Sequence, residues 1–138
     1  MSEYEGRQEY VRTVKLPKIE AIENKYFDRE YTVKIEYPEF STICPKTKMP
    51  DYAKIEIVYS PGKYLAELKS LKLYFVAFRD IPFFHEHFTN RIFDDFVHAV
   101  GPNWAKIEVS VSNRGGILTS IRREYLNNGA EKEVNDCV

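Results

Sequence analysis

The chain has 138 residues, enough for one ordinary globular domain that buries roughly two-thirds of its unfolded surface. With 43% hydrophobic and 30% charged residues it has neither the composition of a disordered chain nor an apolar run that could span a bilayer. Twenty Lys and Arg against 21 Asp and Glu leave no field to draw it onto a phosphate backbone, and two cysteines are too few for a disulfide scaffold or a four-ligand zinc site.

In chain order, residues 1–30 are highly charged with scattered apolar positions and read as an N-terminal arm on a single domain spanning 1–138. The polar start MSEYEGRQEY lacks the apolar segment of a secretory signal, so the expected compartment is the cytoplasm. Tyr31, Val33, Ile35 and Tyr37 alternate with polar residues, as do Ala53, Ile55, Ile57 and Tyr59, which predicts two half-buried strands. The period then lengthens. Leu71, Tyr74, Phe75 and Phe78 share one helical face, and Phe88, Ile92, Phe96 and Val100 share another, with Pro82 between the helices and Gly101-Pro102 closing the second. Ala105, Ile107, Val109 and Val111 return to period two, and a looser strand runs from Ile117 to Tyr125 beyond the turn at Asn113 to Gly116. Residues 126–138 form a polar tail in which Cys137 is an exposed bystander. The order strand, strand, helix, helix, strand, strand predicts an α+β fold: a four-stranded antiparallel sheet with both helices on one face. Its two open edge strands favour a homo-oligomer.

Three stretches carry more functional groups than folding requires. The first is a loop from Ser41 to Asp51, where Pro45 restricts Cys44 to extended angles and Lys46 and Lys48 bring positive charge near a potential thiolate. Asp51 can be brought back over the thiol as a proton donor; a buried cysteine with a capping aspartate in a turn fits the same spacing. The second is the strand-to-helix junction at 66–74, where the helix N–H groups with Lys69, Ser70 and Lys72 suit nucleotide phosphates, or else form a solvated lysine face. Arg114, in a glycine-rich turn, could close on a phosphate or simply shape a hairpin. The third is Phe83-Phe84-His85-Glu86-His87: an ionised Glu86 accepts two parallel N–H bonds from a guanine-like edge, His85 can position or shuttle a proton, and an acidic first helical turn explains the same residues. A metal site there lacks a third clear ligand.

Together these segments resemble the NADPH-dependent 7-cyano-7-deazaguanine reductase family of queuosine biosynthesis, in the tunnelling-fold superfamily that also includes GTP cyclohydrolase. The resemblance covers roughly residues 36 to 118: EFSTICPKTKMPD at 39–51, ELKSLKLYF at 67–75, FRDIPFFHEHFTN at 78–90, and Arg114-Gly115-Gly116. It implies that Cys44 forms a covalent thioimide with the substrate nitrile and that Asp51 supplies protons. By the same resemblance Glu67, His85, Glu86 and the backbone at Ala66 and Leu68 hold the deazapurine. Lys69, Ser70 and Lys72, with Arg114, lie beside NADPH. It further implies rings with active sites between subunits, two pentamers stacked. One departure is that Phe88 and the termini offer no obvious second cysteine near Cys44 for a protective disulfide. Two other functions fit the fold, an amidinotransferase acting on a nitrile-bearing base in tRNA and a non-catalytic purine-binding ring.

Overall fold

Each alternating segment hides one row of side chains by pairing with its neighbours and accepting the helices on that row. The computed structural model describes residues 9–127; Cys137 with the rest of 128–138, residues 1–8 and the Arg114 side chain lie outside the described residues. The elements are a 3-10 turn Glu9–Arg12, β1 Ala21–Glu23, β2 Val33–Ile43, β3 Pro50–Ser60, β4 Tyr64–Ala66, α1 Leu68–Val76 with a 3-10 extension Ala77–Asp80, α2 His85–Val100, β5 Trp104–Arg114 and β6 Ile117–Leu126. The four long strands pair antiparallel in the order β2-β3-β5-β6, and the helices pack on one face, as the alternation of periods predicts. Among the described residues no helix is long and apolar enough to cross a membrane.

The core lies between sheet and helices. Ala53, Ile55, Ile57 and Tyr59 of β3 and Ala105, Ile107, Val109 and Val111 of β5 are buried against Leu71, Tyr74, Phe75 and Phe78 from α1 and its extension and against Phe88, Ile92, Phe93, Phe96 and Val100 from α2. Phe40 sits at its centre, with ring centroids 4.8 Å from Phe88 and 5.3 Å from Phe78. Gly101 ends α2 in the left-handed region at φ 60°, where its N–H reaches Val97 O at 2.9 Å.

The opposite face of the sheet is charged on every strand: Lys34 and Glu36, Lys54 and Glu56, Lys106 and Glu108, Arg122 and Glu124. The register sets Glu36, Glu56 and Glu108 in a row, a repulsive arrangement that lysines and an arginine offset. Lys54 contacts Glu36 at 3.0 Å, Lys34 contacts Glu56 at 3.2 Å and Arg122 contacts Glu108 at 3.2 Å. The hydrogen bond from Lys54 and the charge of Lys34 hold the Glu36 carboxyl below its ordinary range.

One irregularity decides what the first hairpin presents. Tyr37 pairs with Ile55 but Phe40 pairs with Ala53, so β2 carries one extra residue at the Pro38-Glu39 bulge. Before the bulge the odd residues Val33, Ile35 and Tyr37 face the helices, with Tyr37 stacked on Phe75 at 4.8 Å; after it Phe40 and Thr42 do. Pro38 and Glu39, which carry the irregularity, are exposed on an edge strand, where a missing N–H costs little. This corrects the expected loop from Ser41 to Asp51: the strands resume past the bulge through Ile43↔Pro50, leaving only Cys44 to Met49 as the tip.

The segment before β2 is tied in by backbone pairing and one satisfied amide. β1 pairs with β4 through Ile22↔Leu65, and Ile19 is buried. Buried Asn24 donates from Nδ2 to Gly62 O at 2.8 Å and accepts from the Tyr31 hydroxyl at 2.7 Å, so its desolvation is offset.

Phe78 is fully buried between three rings, whereas Leu73 on the same helix is 53% exposed. Phe78→Ala should therefore cost about 3–5 kcal/mol in denaturant titration, and Leu73→Ala under about 0.5 kcal/mol. Equal effects would place the core elsewhere.

Candidate active site

The hairpin tip presents Cys44 from a tightly closed turn. Cys44 N–H donates to Met49 O and Lys48 N–H to Cys44 O, both at 2.9 Å, and Lys48 takes φ 61° to close the loop. Pro45 is buried, and Cys44 is partly exposed and free. Burial pushes the thiol up, but hydrogen bonds from the Thr47 hydroxyl and from the Thr47 and Lys46 N–H groups outweigh it together with the opposing charge of Asp51, so its pKa falls below the ordinary value. The stabilisation differs from the expected one. Lys46 acts through its backbone N–H, while its side chain and that of Lys48 are exposed.

Asp51 begins the inward row of β3 and is buried, its Oδ2 3.2 Å from His85 Nε2 at the first turn of α2. What brings α2 there is residues 81–83, which lie along the end of β2: Ile43 N–H donates to Ile81 O at 3.3 Å and Phe83 N–H to Ile43 O at 3.1 Å. Cys44 follows Ile43 directly, so the thiol, the Asp51 carboxyl and the His85 imidazole are anchored to one short patch of backbone. Thr42, cross-strand partner of Asp51 and absent from the sequence-based candidates, is buried with its Oγ1 lacking a hydrogen-bond partner among the described residues. No sequence signal distinguishes it from a strand threonine. Glu86 is exposed on the same helical turn, and its backbone O accepts from Asn90 Nδ2 at 2.8 Å. Phe88 is buried against Phe40 and beside the His85 ring.

Ala66, Glu67, Leu68, Lys69, Ser70 and Lys72 gather elsewhere, at the start of α1. Glu67 is the N-cap: its carboxylate accepts from Ser70 N–H at 2.7 Å and Lys69 N–H at 3.0 Å, and these bonds hold its pKa low. Two of the N–H groups of this first turn, those of Lys69 and Ser70, are thus engaged by Glu67. Ser70, buried, donates from Oγ to Glu67 O at 2.8 Å and accepts from Glu20 N–H at 2.9 Å. Lys69 and Lys72 remain exposed beside exposed Leu68 and Leu73, a cationic and apolar strip whose chemistry fits the phosphates and ring of a nucleotide cofactor. Arg114 ends β5, its side chain outside the described residues.

The two groups lie at opposite ends of β3. Ala66 N–H bonds the Tyr59 hydroxyl at 3.1 Å, while Asp51 stands at the other end of the strand, roughly 26 Å away at about 3.3 Å per residue. Within this chain the cysteine group and the Glu67 group stand apart.

Fold and site together define a two-layer α+β protein with a cysteine thiol of lowered pKa near a buried aspartate that contacts a half-buried histidine. A sequence profile described as QueF-like protein matches residues 50–130. The NADPH-dependent 7-cyano-7-deazaguanine reductase of Chloroherpeton thalassium is 46% identical over 107 residues, covering 78% of this chain and 92% of the relative. That of Halorhodospira halophila is 43% identical over 107 residues, covering 78% and 91%. A solved structure, the archaeosine synthase QueF-Like in the apo form, superposes with TM-score 0.60 at 20% identity over 69% of this chain and 91% of that one, a likeness of fold. The chain belongs to the QueF-like protein family.

Two predictions follow from the tip. Alkylation of Cys44 by iodoacetamide should have its pH midpoint below that of free cysteine, and Thr47→Val, removing a donor to the thiolate, should move it upward; an unmoved midpoint would remove the hydroxyl from that role. Thr42→Val deletes a buried hydroxyl without a partner among the described residues, so thermal unfolding should show a gain of about 1 kcal/mol rather than a loss.

Proposed function

We propose that this chain reduces the nitrile of 7-cyano-7-deazaguanine to the aminomethyl group of 7-aminomethyl-7-deazaguanine with two equivalents of NADPH, in the cytoplasm, for queuosine modification of tRNA. The observation that carries the proposal is the partly exposed Cys44 thiol, its pKa lowered, near buried Asp51 and the half-buried His85 that contacts it. The names borne by relatives 43–46% identical to the chain support the substrate and the cofactor.

Cys44 adds through its thiolate to the nitrile carbon while Asp51 passes a proton to the nitrile nitrogen, so the triple bond becomes a thioimide C=N. His85, in contact with Asp51, holds the carboxyl and can return a proton to it. Bound NADPH supplies the two hydrides that a carbon of this kind accepts. Between them Cys44 departs with the C–S electron pair, recovering its thiolate and leaving a protonated imine. Two hydrides and two protons balance the four-electron change. Glu86 and Glu67 would accept the paired N–H groups of the deazapurine, with His85 and the backbone at Ala66 and Leu68 alongside. Lys69, Ser70, Lys72 and Arg114 would hold the cofactor, Ser70 by fixing the first turn of α1.

A separation of roughly 26 Å exceeds the reach of one deazapurine, so the two groups would meet across neighbouring subunits. The open edges of β2 and β6 favour the required ring, two stacked pentamers of identical chains.

NADPH oxidation on adding the nitrile should approach two equivalents per amine formed. Intact-protein mass spectrometry without NADPH should find an adduct that Cys44→Ala abolishes. Adduct without oxidation would favour an amidinotransferase, and neither signal a purine-binding ring. Glu86→Leu should raise KM for the nitrile at least tenfold; unaltered KM would remove Glu86 from the site.

A further inference from the structure

We propose that Tyr10 is a positioning residue for His85, so that the N-terminal segment is a working part of the site rather than a cover for the core. The inference rests on the reading of Cys44, Asp51 and His85 given above.

Residues 81–83 are gripped from both sides. One side is the end of β2, through the Ile43 bonds to Ile81 and Phe83. The other is Tyr10, whose hydroxyl donates to the Pro82 carbonyl and whose ring sets its edge against Phe83, centroids 6.0 Å apart at 65°. Pro82 has no N–H, so its carbonyl is its one backbone handle, and Tyr10 holds it. α2 starts two residues after Phe83 with Phe84 at the N-cap, which brings no hydrogen-bonding side chain of its own. Residues 81–83 thus lead directly into the first turn of α2, where His85 stands, and fix where that turn begins.

The turn that carries Tyr10 is fixed to the same helix. Arg91 donates from Nη1 to Val11 O at 2.9 Å and from Nη2 to Val14 O at 2.8 Å, while its Nε meets Asp95 Oδ2 at 2.8 Å. Asp95 in turn accepts from the buried Tyr74 hydroxyl at 2.6 Å, which locks its rotamer. The brace closes a loop: Tyr10 to Pro82, along α2 to Arg91, and back to Val11 and Val14. His85 lies inside it. Its contact with Asp51 is 3.2 Å, at the long end of a hydrogen bond, so a shift of a few tenths of an ångström in the first turn of α2 uncouples acid from imidazole.

The test is Tyr10→Phe in the full chain, which keeps the ring and removes the hydroxyl, assayed alone and combined with His85→Gln. Val100→Ala, a cavity at the far end of α2, controls for lost stability. If Tyr10 acts through His85, Tyr10→Phe should lower kcat about 3–10-fold with KM little changed, and should change kcat less than about 1.5-fold once His85 is glutamine. Equal losses in both backgrounds, no loss at all, or a loss that follows melting temperature as in Val100→Ala would overturn the proposal. Should Tyr10→Phe prove too unstable to purify, Arg91→Lys loosens the same turn and must show the same dependence on His85. Wild-type protein inert toward both nitrile and NADPH would instead remove the proposed function, and this inference with it.

Discussion

A single extra residue in β2 governs the geometry of the first hairpin. Without the bulge at Pro38-Glu39, the inward parity of Val33, Ile35 and Tyr37 would continue through Glu39 and Ser41, placing a carboxylate in the core and Phe40 in water. With it, Phe40 enters the ring cluster and Thr42 faces inward opposite Asp51, which tops the buried row of β3. The acid thus sits at the rim of the apolar layer rather than on the charged face. It reaches His85 because its hairpin partner β2 carries residues 81–83 along its end at Ile43. Core packing and site assembly depend on one register choice.

Most of the architecture was legible because it rests on periodicity. Ala53 to Tyr59 and Ala105 to Val111 alternate without interruption, Phe88 to Val100 repeats at helical spacing, and Gly101 marks its own stop by its left-handed backbone. What the pattern did not disclose involves either a break in period or backbone pairing. The bulge follows Pro38, where alternation stops and the parity beyond it is undetermined. β1 and β4 are three residues each, too short to display a period, and are held by carbonyls and N–H groups that every residue carries.

The candidate site divides along the same line. Cys44 and Asp51 stand out in sequence because proline bracing and a thiol are distinctive, and the structure places both at one end of the β2–β3 hairpin, Asp51 in contact with His85. In sequence the nearby lysines are the visible cause for a lowered thiol pKa, yet the lowering comes from the Thr47 hydroxyl and from backbone N–H groups whose aim depends on the turn's conformation. In sequence the helix N-terminus at Leu68 fits either a phosphate seat or a solvated lysine face. Glu67 occupies it, a result hidden in sequence because glutamate is an uncommon cap. Tyr10 lies in a segment without pattern, and its partner is a carbonyl 72 positions away.

The charged face of the sheet has a consequence for approach. Its four basic and four acidic side chains alternate within the reach of one another, so their fields cancel beyond about one Debye length, roughly 8 Å in physiological salt. A polyanion drifting past meets no net attraction, which agrees with the balanced charge of the whole chain. Closer in, the same face carries a row of three glutamates flanked by basic side chains, which rewards only a partner with a matching row in the right alignment. Such a surface is silent at a distance and discriminating at contact.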